Sequence, residues 1–263
     1  MDLKEIIKML EEGNSYNPDE IRITFKEGLS IRQVAKVIEE NTNNKYDDVI
    51  KLMEDDNYID SLIENYWFLT DDIKNTKIYY PLEGYLFPNT YAFSNKDVNI
   101  KTIIEKMLKE TDRQLSKYKD VIDKSDLSIH EIMTLASIVE KEGKVKDFEN
   151  IASTFINRLD IKMSLQSCAT LYYGMKMDFD TVGIATKKMT QNNNPYNTYM
   201  YSGLPVGPIS APGISAIEAT LEPRDTEYLY FLSDNQGVSY FFKTLKEHTN
   251  KKQQLISQGK WDR

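Results

Sequence analysis

One carboxylate stands out by where it falls. The stretch Thr134 to Gly174 reads TLASIVEKEGKVKDFENIASTFINRLDIKMSLQSCATLYYG, and the apolar residues Ile129, Ile132, Met133, Ala136 and Val139 recur at helical rather than strand spacing. At about 100° of rotation per residue, Glu140 projects between the directions of Ile129 and Met133, inside the apolar stripe. His130, Ser137 and Lys141 point away from it. A carboxyl on a buried face is desolvated, which disfavours its charged form and raises its pKa. Such a group gives up a proton as an acid near neutral pH. Two readings fit this position: a general acid, or a helix-end Glu whose carboxylate reaches water or pairs with an Arg or Lys from elsewhere. Glu142 falls near the edge of the stripe, close to Glu131 in direction, and reads as the more solvated of the two. Gly143 stops the helix.

The rest of the composition narrows the chemistry to carboxylates and hydroxyls. Cys168 is the single cysteine, which excludes an internal disulfide framework. With His130 and His248 the only histidines, and no CxxC or HExxH spacing, neither a zinc site nor a Cys-His nucleophile pair is expected, and no cofactor is expected. The net charge of −8, with no basic stripe to offset it, argues against a nucleic-acid binder. No stretch approaches the roughly 20 apolar residues of a membrane-spanning helix, and no signal peptide opens the chain, so it is expected to be soluble as given. At 263 residues it forms one large domain or two modest ones.

Several elements must position Glu140. Residues 3–12 make an amphipathic helix stopped by Gly13, with a turn-rich link after it. Ile21, Ile23 and Phe25 alternate with polar residues as a half-buried strand closed by Glu27-Gly28. Ser30 is the N-cap of the helix IRQVAKVIEE, with Gln33 as capping-box partner. Short helices over 47–54 and 59–66 complete a small α+β unit. Residues 79–93, YYPLEGYLFPNTYAF, break the helical pattern at Pro81, Gly84 and Pro88 and carry six aromatic residues in fifteen positions. Their rings suit either the stacking faces of sugars or a loop pinned by its own core contacts, and Glu83 among them is either a second carboxylate or a hydrogen-bond acceptor. A long helix follows over 100–118, and Asp126 or Ser128 starts the central helix.

Beyond Gly143, DFENIASTFINRLDIKM reads as a helix with Ile151, Ala152, Phe155, Ile156 and Leu159 on one side. Asn157 and Arg158 beside them either hold a carboxylate or cap the helix end. Leu165 to Gly174 is short and mixed. Residues 191–213 form a long loop with four Pro and three Gly, dense in amides and hydroxyls of the kind polyol recognition uses. A short helix over 214–221, a hairpin built from 227–233 and 239–243, and a solvated terminal helix from Lys246 complete the chain.

Taken together, LEGYLFPNTYAF, LASIVEKEG, FINRL followed by MSLQS and TLYYG, NPYNTYMYSGLPVGPISAPG, and YLYFLSD followed by FFKTLKEH resemble, in order and spacing, the MltG/YceG-like endolytic murein transglycosylases. The similarity covers most of residues 20–250. It implies an α+β fold, with a small LysM-like module over residues 1–78 and a mixed helix and antiparallel-sheet catalytic domain over 79–263. It also implies cleavage of peptidoglycan strands between N-acetylmuramic acid and N-acetylglucosamine, leaving 1,6-anhydro ends, with one Glu serving as acid and then as base. By position the catalytic glutamate is Glu140. Glu142, Gln166, Asn197, Thr198 and Tyr199 fall on motif positions that line the cleft, with Glu83 at its entrance. The family normally carries an N-terminal membrane anchor that faces the catalytic part outward, so the full-length form is expected at the extracytoplasmic face of the cell membrane, with cell-wall synthesis enzymes as further partners. Two positions depart from the family pattern: Cys168 stands where an Asp is common, and Ser239 where a His is common. A muramidase that uses water, with Glu142 or Glu83 as second group, and a glycan-binding scaffold without activity are the rival readings.

Overall fold

The computed structural model describes Ile7, residues 17–177, Phe179, Val182 and residues 185–261. The helix expected over 3–12 lies outside the described residues apart from Ile7. Strand β1 (Ile21–Thr24) puts Ile23 into the core, and Phe25 follows it there. The turn at Gly28 leads to α1 (Ile31–Asn41), which opens on the expected capping box of Ser30 and Gln33. Two short helices follow, α2 (Tyr46–Met53) and α3 (Asp56–Asn65).

The Pro- and Gly-rich run 79–93 is less irregular than its composition predicts. It ends in β2 (Thr90–Phe93), which pairs antiparallel with β1, Ile21 opposite Phe93 and Thr24 opposite Thr90. This pairing crosses the 78/79 boundary expected from the sequence and carries the first structural unit to Phe93. The aromatics of the run do not offer stacking faces. Tyr80, Tyr85, Phe87, Tyr91 and Phe93 are buried in the first hydrophobic core, and Tyr79 is half-buried.

Helix α4 (Ile100–Leu115) and a single turn, α5 (Lys119–Ile122), lead to α6 (Ile129–Glu142). The cap of α6 is a box formed by Ser128 and Glu131, and Gly143 ends it. α6 is the wall between two cores. Ile129, Ile132, Met133 and Ala136 belong to the first, which holds the N-terminal unit. Leu135, Ile138 and Val139 belong to the second, built with α7 (Phe148–Asp160), α8 (Cys168–Gly174) and α9 (Ile214–Leu221). The helix is therefore not one-sided, and His130 and Ser137, expected to face away from the core, are buried. His130 meets the Tyr85 hydroxyl at 2.9 Å and the Val206 carbonyl at 3.1 Å. Ser137 Oγ donates to Thr134 O at 2.7 Å and accepts from Ile209 N at 3.0 Å. The loop 191–213 is thus laid along the polar side of α6 and bonded to it.

The hairpin of β3 (Tyr230–Ser233) and β4 (Ser239–Phe242) pairs Tyr230 with Phe242, and α10 (Leu245–Ser257) packs on it. Ser239 Oγ donates to Asp147 Oδ2 at 2.8 Å, so this departure from the family pattern ties the hairpin to the start of α7.

Candidate active site

Residues 132–139 of α6 are enclosed, but the last turn, Glu140, Lys141 and Glu142, regains part of its exposure. Glu140 Oε2 accepts the N–H of Gly213, the N-cap of α9, at 3.0 Å. The turn before α1 lies alongside. Gly28 N donates to Ala211 O and Ala211 N donates to Leu29 O, both at 2.8 Å, strapping the N-terminal unit onto the segment that leads into α9. Gly28 has φ +73°, a left-handed conformation that glycine adopts without steric cost, and a side chain there would fill the space against Lys141 and Glu140. Burial pushes the Glu140 carboxyl above its ordinary value. The Gly213 N–H opposes the rise, Glu27 adds to it and Lys141 opposes it. The direction is the one its place on the helix predicts.

Glu142 corrects an expectation. Its carboxyl is more enclosed than that of Glu140, because α8 seats its N-terminus on it. The Ser167 hydroxyl, the N-cap of α8, donates to Glu142 Oε1, and the Ala169 N–H bonds the same carboxyl. Burial raises its proton affinity, while these donors and the charge of Arg158 oppose the rise. Arg158 is buried and donates from Nε to Leu229 O at 2.6 Å and from Nη1 to Leu165 O at 2.5 Å. It therefore holds two carbonyls while sitting within electrostatic reach of Glu142. Asn157 likewise holds the carbonyls of Thr226 and Tyr228, at 2.9 and 3.0 Å.

The other site residues named from the sequence gather around the start of α8. Gln166 is exposed, has φ +52° and donates its N–H to Thr198 O at 3.1 Å. A non-glycine residue in that region is uncommon and is held there by its surroundings. Thr198 and Asn197 are buried. Thr198 Oγ1 accepts from Ser167 N at 3.0 Å and shares a bond with Thr170 Oγ1 at 2.8 Å. Asn197 donates to the carbonyls of Asn192 and Thr190 and accepts from Tyr199 N at 3.0 Å. The Asn197 side chain is thus spent on the loop itself, and the Thr198 hydroxyl on the start of α8. Tyr199 is half-buried, with its hydroxyl 3.0 Å from Cys168 Sγ. Burial pushes the Cys168 thiol up, so it stays neutral and offers no ionised acceptor.

Glu83 is 1% exposed and lies in the interior rather than at an open entrance. Its two oxygens accept from Ile31 N at 3.0 and 3.2 Å, and Oε2 also accepts from the Tyr173 hydroxyl at 2.8 Å, so it caps α1 and joins the two halves of the chain. Burial raises its pKa from 4.5 to about 7 against the pull of these donors. The folded state thus binds a proton here that the unfolded chain releases near 4.5. The stability this contributes is complete at low pH and is lost as pH rises through about 7. Urea midpoints measured between pH 5 and 8 are expected to fall with pH from this group, and the Glu83→Gln variant to show a flatter dependence. An unchanged slope in the variant would remove Glu83 as its source.

A cavity of about 260 Å³ opens beside Gly28 and Lys141, between α1 and the α8 region. Ala169, Tyr173 and Ile209 form part of its wall. Phe179, exposed at the rim, supplies an aromatic face. Arg32, Lys36 and Lys176 also line it. Arg32, Lys36, Lys176 and Phe179 were not singled out from the sequence, because the cavity joins residues as far apart as Gly28 and Ile209.

A desolvated, half-buried carboxyl beside the cavity-lining Gly28 and Lys141, steadied by one backbone N–H, is equipped for general acid–base chemistry. The YceG-like family model matches residues 1–254, and the chain belongs to that family. It is 39% identical over 259 residues to a protein of Bacillus subtilis (strain 168) named endolytic murein transglycosylase, covering 98% of this chain and 71% of that one. A Streptococcus pneumoniae serotype 2 protein of the same name is 30% identical over 262 residues, and there the chain spans about half of the relative, 47%. A crystal structure of a yceG-like protein from Listeria monocytogenes superposes with a TM-score of 0.83 at 39% identity, covering 96% of this chain and 82% of that one. The fold is α+β, with small antiparallel sheets among helices. No helix among the described residues is long and apolar enough to cross a membrane.

Proposed function

We propose that this chain is an endolytic lytic transglycosylase of peptidoglycan, cutting glycan strands internally between N-acetylmuramic acid and N-acetylglucosamine. The names of its relatives support the reaction class. One observation carries the residue assignment: Glu140 is desolvated by the protein yet only half-buried, held on the Gly213 N–H next to Gly28 and Lys141, which line the cavity.

Neutral Glu140 gives its proton to the glycosidic oxygen as the bond from that oxygen to the anomeric carbon breaks. The muramic N-acetyl oxygen assists at that carbon. The Glu140 carboxylate left behind is stabilised by the Gly213 N–H and the nearby Lys141 charge, and it takes the proton from the sugar's own 6-hydroxyl. That oxygen closes on the anomeric carbon, giving a 1,6-anhydro end and restoring neutral Glu140 without consuming water. The nucleophile is already tethered, so it reacts with the effective concentration of an intramolecular group. Exposed Gln166 and half-exposed Tyr199 are the sugar contacts in this scheme. Glu142, Asn197, Thr198 and Glu83 shape the cleft from beneath. The N-terminal unit acts as a LysM-like glycan grip, a role supported by a two-stranded sheet whose strands are separated by α1 to α3. The substrate places the catalytic unit at the extracytoplasmic face of the cell membrane, within reach of cell-wall synthesis enzymes.

Hydrolysis has one observation in its favour: Glu27, exposed and close enough to raise the proton affinity of Glu140, is a second carboxylate at the site. Glu142 and Glu83, the second groups considered from the sequence, are enclosed and hydrogen-bonded within the protein. Mass spectrometry of digested purified strands separates the readings. Anhydro ends, each one water lighter than a reducing end, support transglycosylation, and reducing ends reject it. Binding without any release identifies a scaffold.

A further inference from the structure

The cavity beside Gly28 and Lys141, residues adjacent to Glu140, has a charge pattern that acid–base chemistry alone does not require. Arg32, Lys36, Lys141 and Lys176 line it, and among the described residues no Asp or Glu does, in a chain whose net charge is −8. Two other concavities mix their signs: Asp48, Lys51 and Asp55 share one, and Asp71, Asp72 and Lys74 another. Among the described residues, the ion pairs involve none of the four cations of the central cavity.

Their remaining contacts leave charge to spare. Arg32 Nη1 donates to Lys176 O at 2.9 Å, which commits one of the five donors of the guanidinium. Lys141 Nζ donates to Gly28 O at 3.3 Å, sits 4.7 Å from the Phe179 ring centre and lies within electrostatic reach of the Glu140 carboxyl. Lys176 Nζ lies 4.8 Å from the ring centre of Tyr79. Carbonyl oxygens and ring faces orient cations without neutralising them. The interior carboxyl that Arg32 influences, Glu83, is turned to Ile31 and Tyr173 behind the cavity wall. Gathering like charges is unfavourable unless an anion answers them.

We propose that this cavity is a carboxylate-binding subsite, in which Arg32 and Lys36, with Lys141 and Lys176, hold an acid group carried by the glycan strand while Glu140 acts on the neighbouring glycosidic bond. This rests on the proposed function and adds to it the part of the substrate that is read. The volume, about 260 Å³, fits a single carboxyl-bearing arm rather than an extended peptide, since whole small-molecule sites run from about 300 to 1,000 Å³. A murein strand offers two such acids: the end groups of a stem peptide, or the lactyl carboxylate of muramic acid where the peptide has been removed.

Three substrates test the subsite: peptide-bearing strands, the same strands with carboxyls capped as methylamides, and peptide-free strands that retain the lactyl acid. The full chain is compared with an Arg32→Gln/Lys36→Gln variant; Lys36 is exposed and Arg32 half-buried, both on the surface of α1. With two surface charges answered, the unmodified chain is expected to cleave uncapped strands about tenfold faster than capped ones at low salt. That ratio should fall toward one in the variant and with added salt. Peptide-free strands behaving like capped ones identify the stem peptide as the source of the acid, and peptide-free strands behaving like uncapped ones identify the lactyl group. A ratio near one in the unmodified chain, or one unchanged in the variant, overturns the proposal. The same capped-to-uncapped ratio is read as affinity on Glu140→Gln protein, so a failure to cut any strand counts against the proposed function while the subsite is still decided.

Discussion

Replacing Glu140 by Gln is expected to lower strand cleavage by about a thousandfold, the middle of the range that a positioned acid–base group contributes. The substitution keeps size and shape, and its amide oxygen still accepts the Gly213 N–H that Glu140 Oε2 accepts now. What it removes is the transferable proton. Thermal unfolding and binding to purified sacculi should therefore stay close to the unmodified protein while product release collapses. Glu140→Asp keeps the acid but withdraws it by one methylene from a site fixed by the turn at Gly28 and the start of α9, and should fall between the two. Retention of full activity by the Gln variant would remove Glu140 from the chemistry.

The largest expected loss of stability lies at Arg158. Arg158→Met preserves most of the side chain's apolar bulk but deletes a buried cation that donates to the carbonyls of Leu229 and Leu165 and offsets the enclosed Glu142 carboxyl. The change leaves two acceptors without these donors and one interior carboxyl without its nearby charge. Removing one partner from such an arrangement costs about 3–5 kcal/mol. Urea denaturation at neutral pH measures it. Adding Glu142→Gln to Arg158→Met should recover part of the loss, because the second change removes the uncompensated carboxyl. Additive losses in the double variant would show that Arg158 acts through its carbonyl contacts alone.

Local signals were the readable ones. The capping box at Ser30, the stop at Gly143, the helix over 214–221 and the hairpin turn near 234–237 are each set by residues a few positions apart, and the structure contains them; of the two starts open for α6, Asp126 or Ser128, it takes Ser128. Long-range packing was not readable. The periodicity of α6 shows one apolar stripe, but the loop 206–210 comes from far along the chain to bury His130 and Ser137 on its other side. The same blindness left the ring-rich segment 79–93 open between a sugar platform and a loop pinned by core contacts, and β1 and the first core claim most of its side chains. It also made Glu142 look solvated, since nothing near it in sequence announces that Ser167 and Ala169 will close over it. Glu140 was legible because its own helix sets its direction. The cationic cavity was not, because residues 32, 36, 141 and 176 meet only in the folded chain.

Digestion of purified glycan strands in water enriched in oxygen-18, followed by mass spectrometry of the new ends, is the most direct measurement. Internal attack by the 6-hydroxyl predicts ends that carry no label and are one water lighter than reducing sugars. Incorporation of one labelled oxygen at each cut would contradict it, because the attacking oxygen would then have come from solvent.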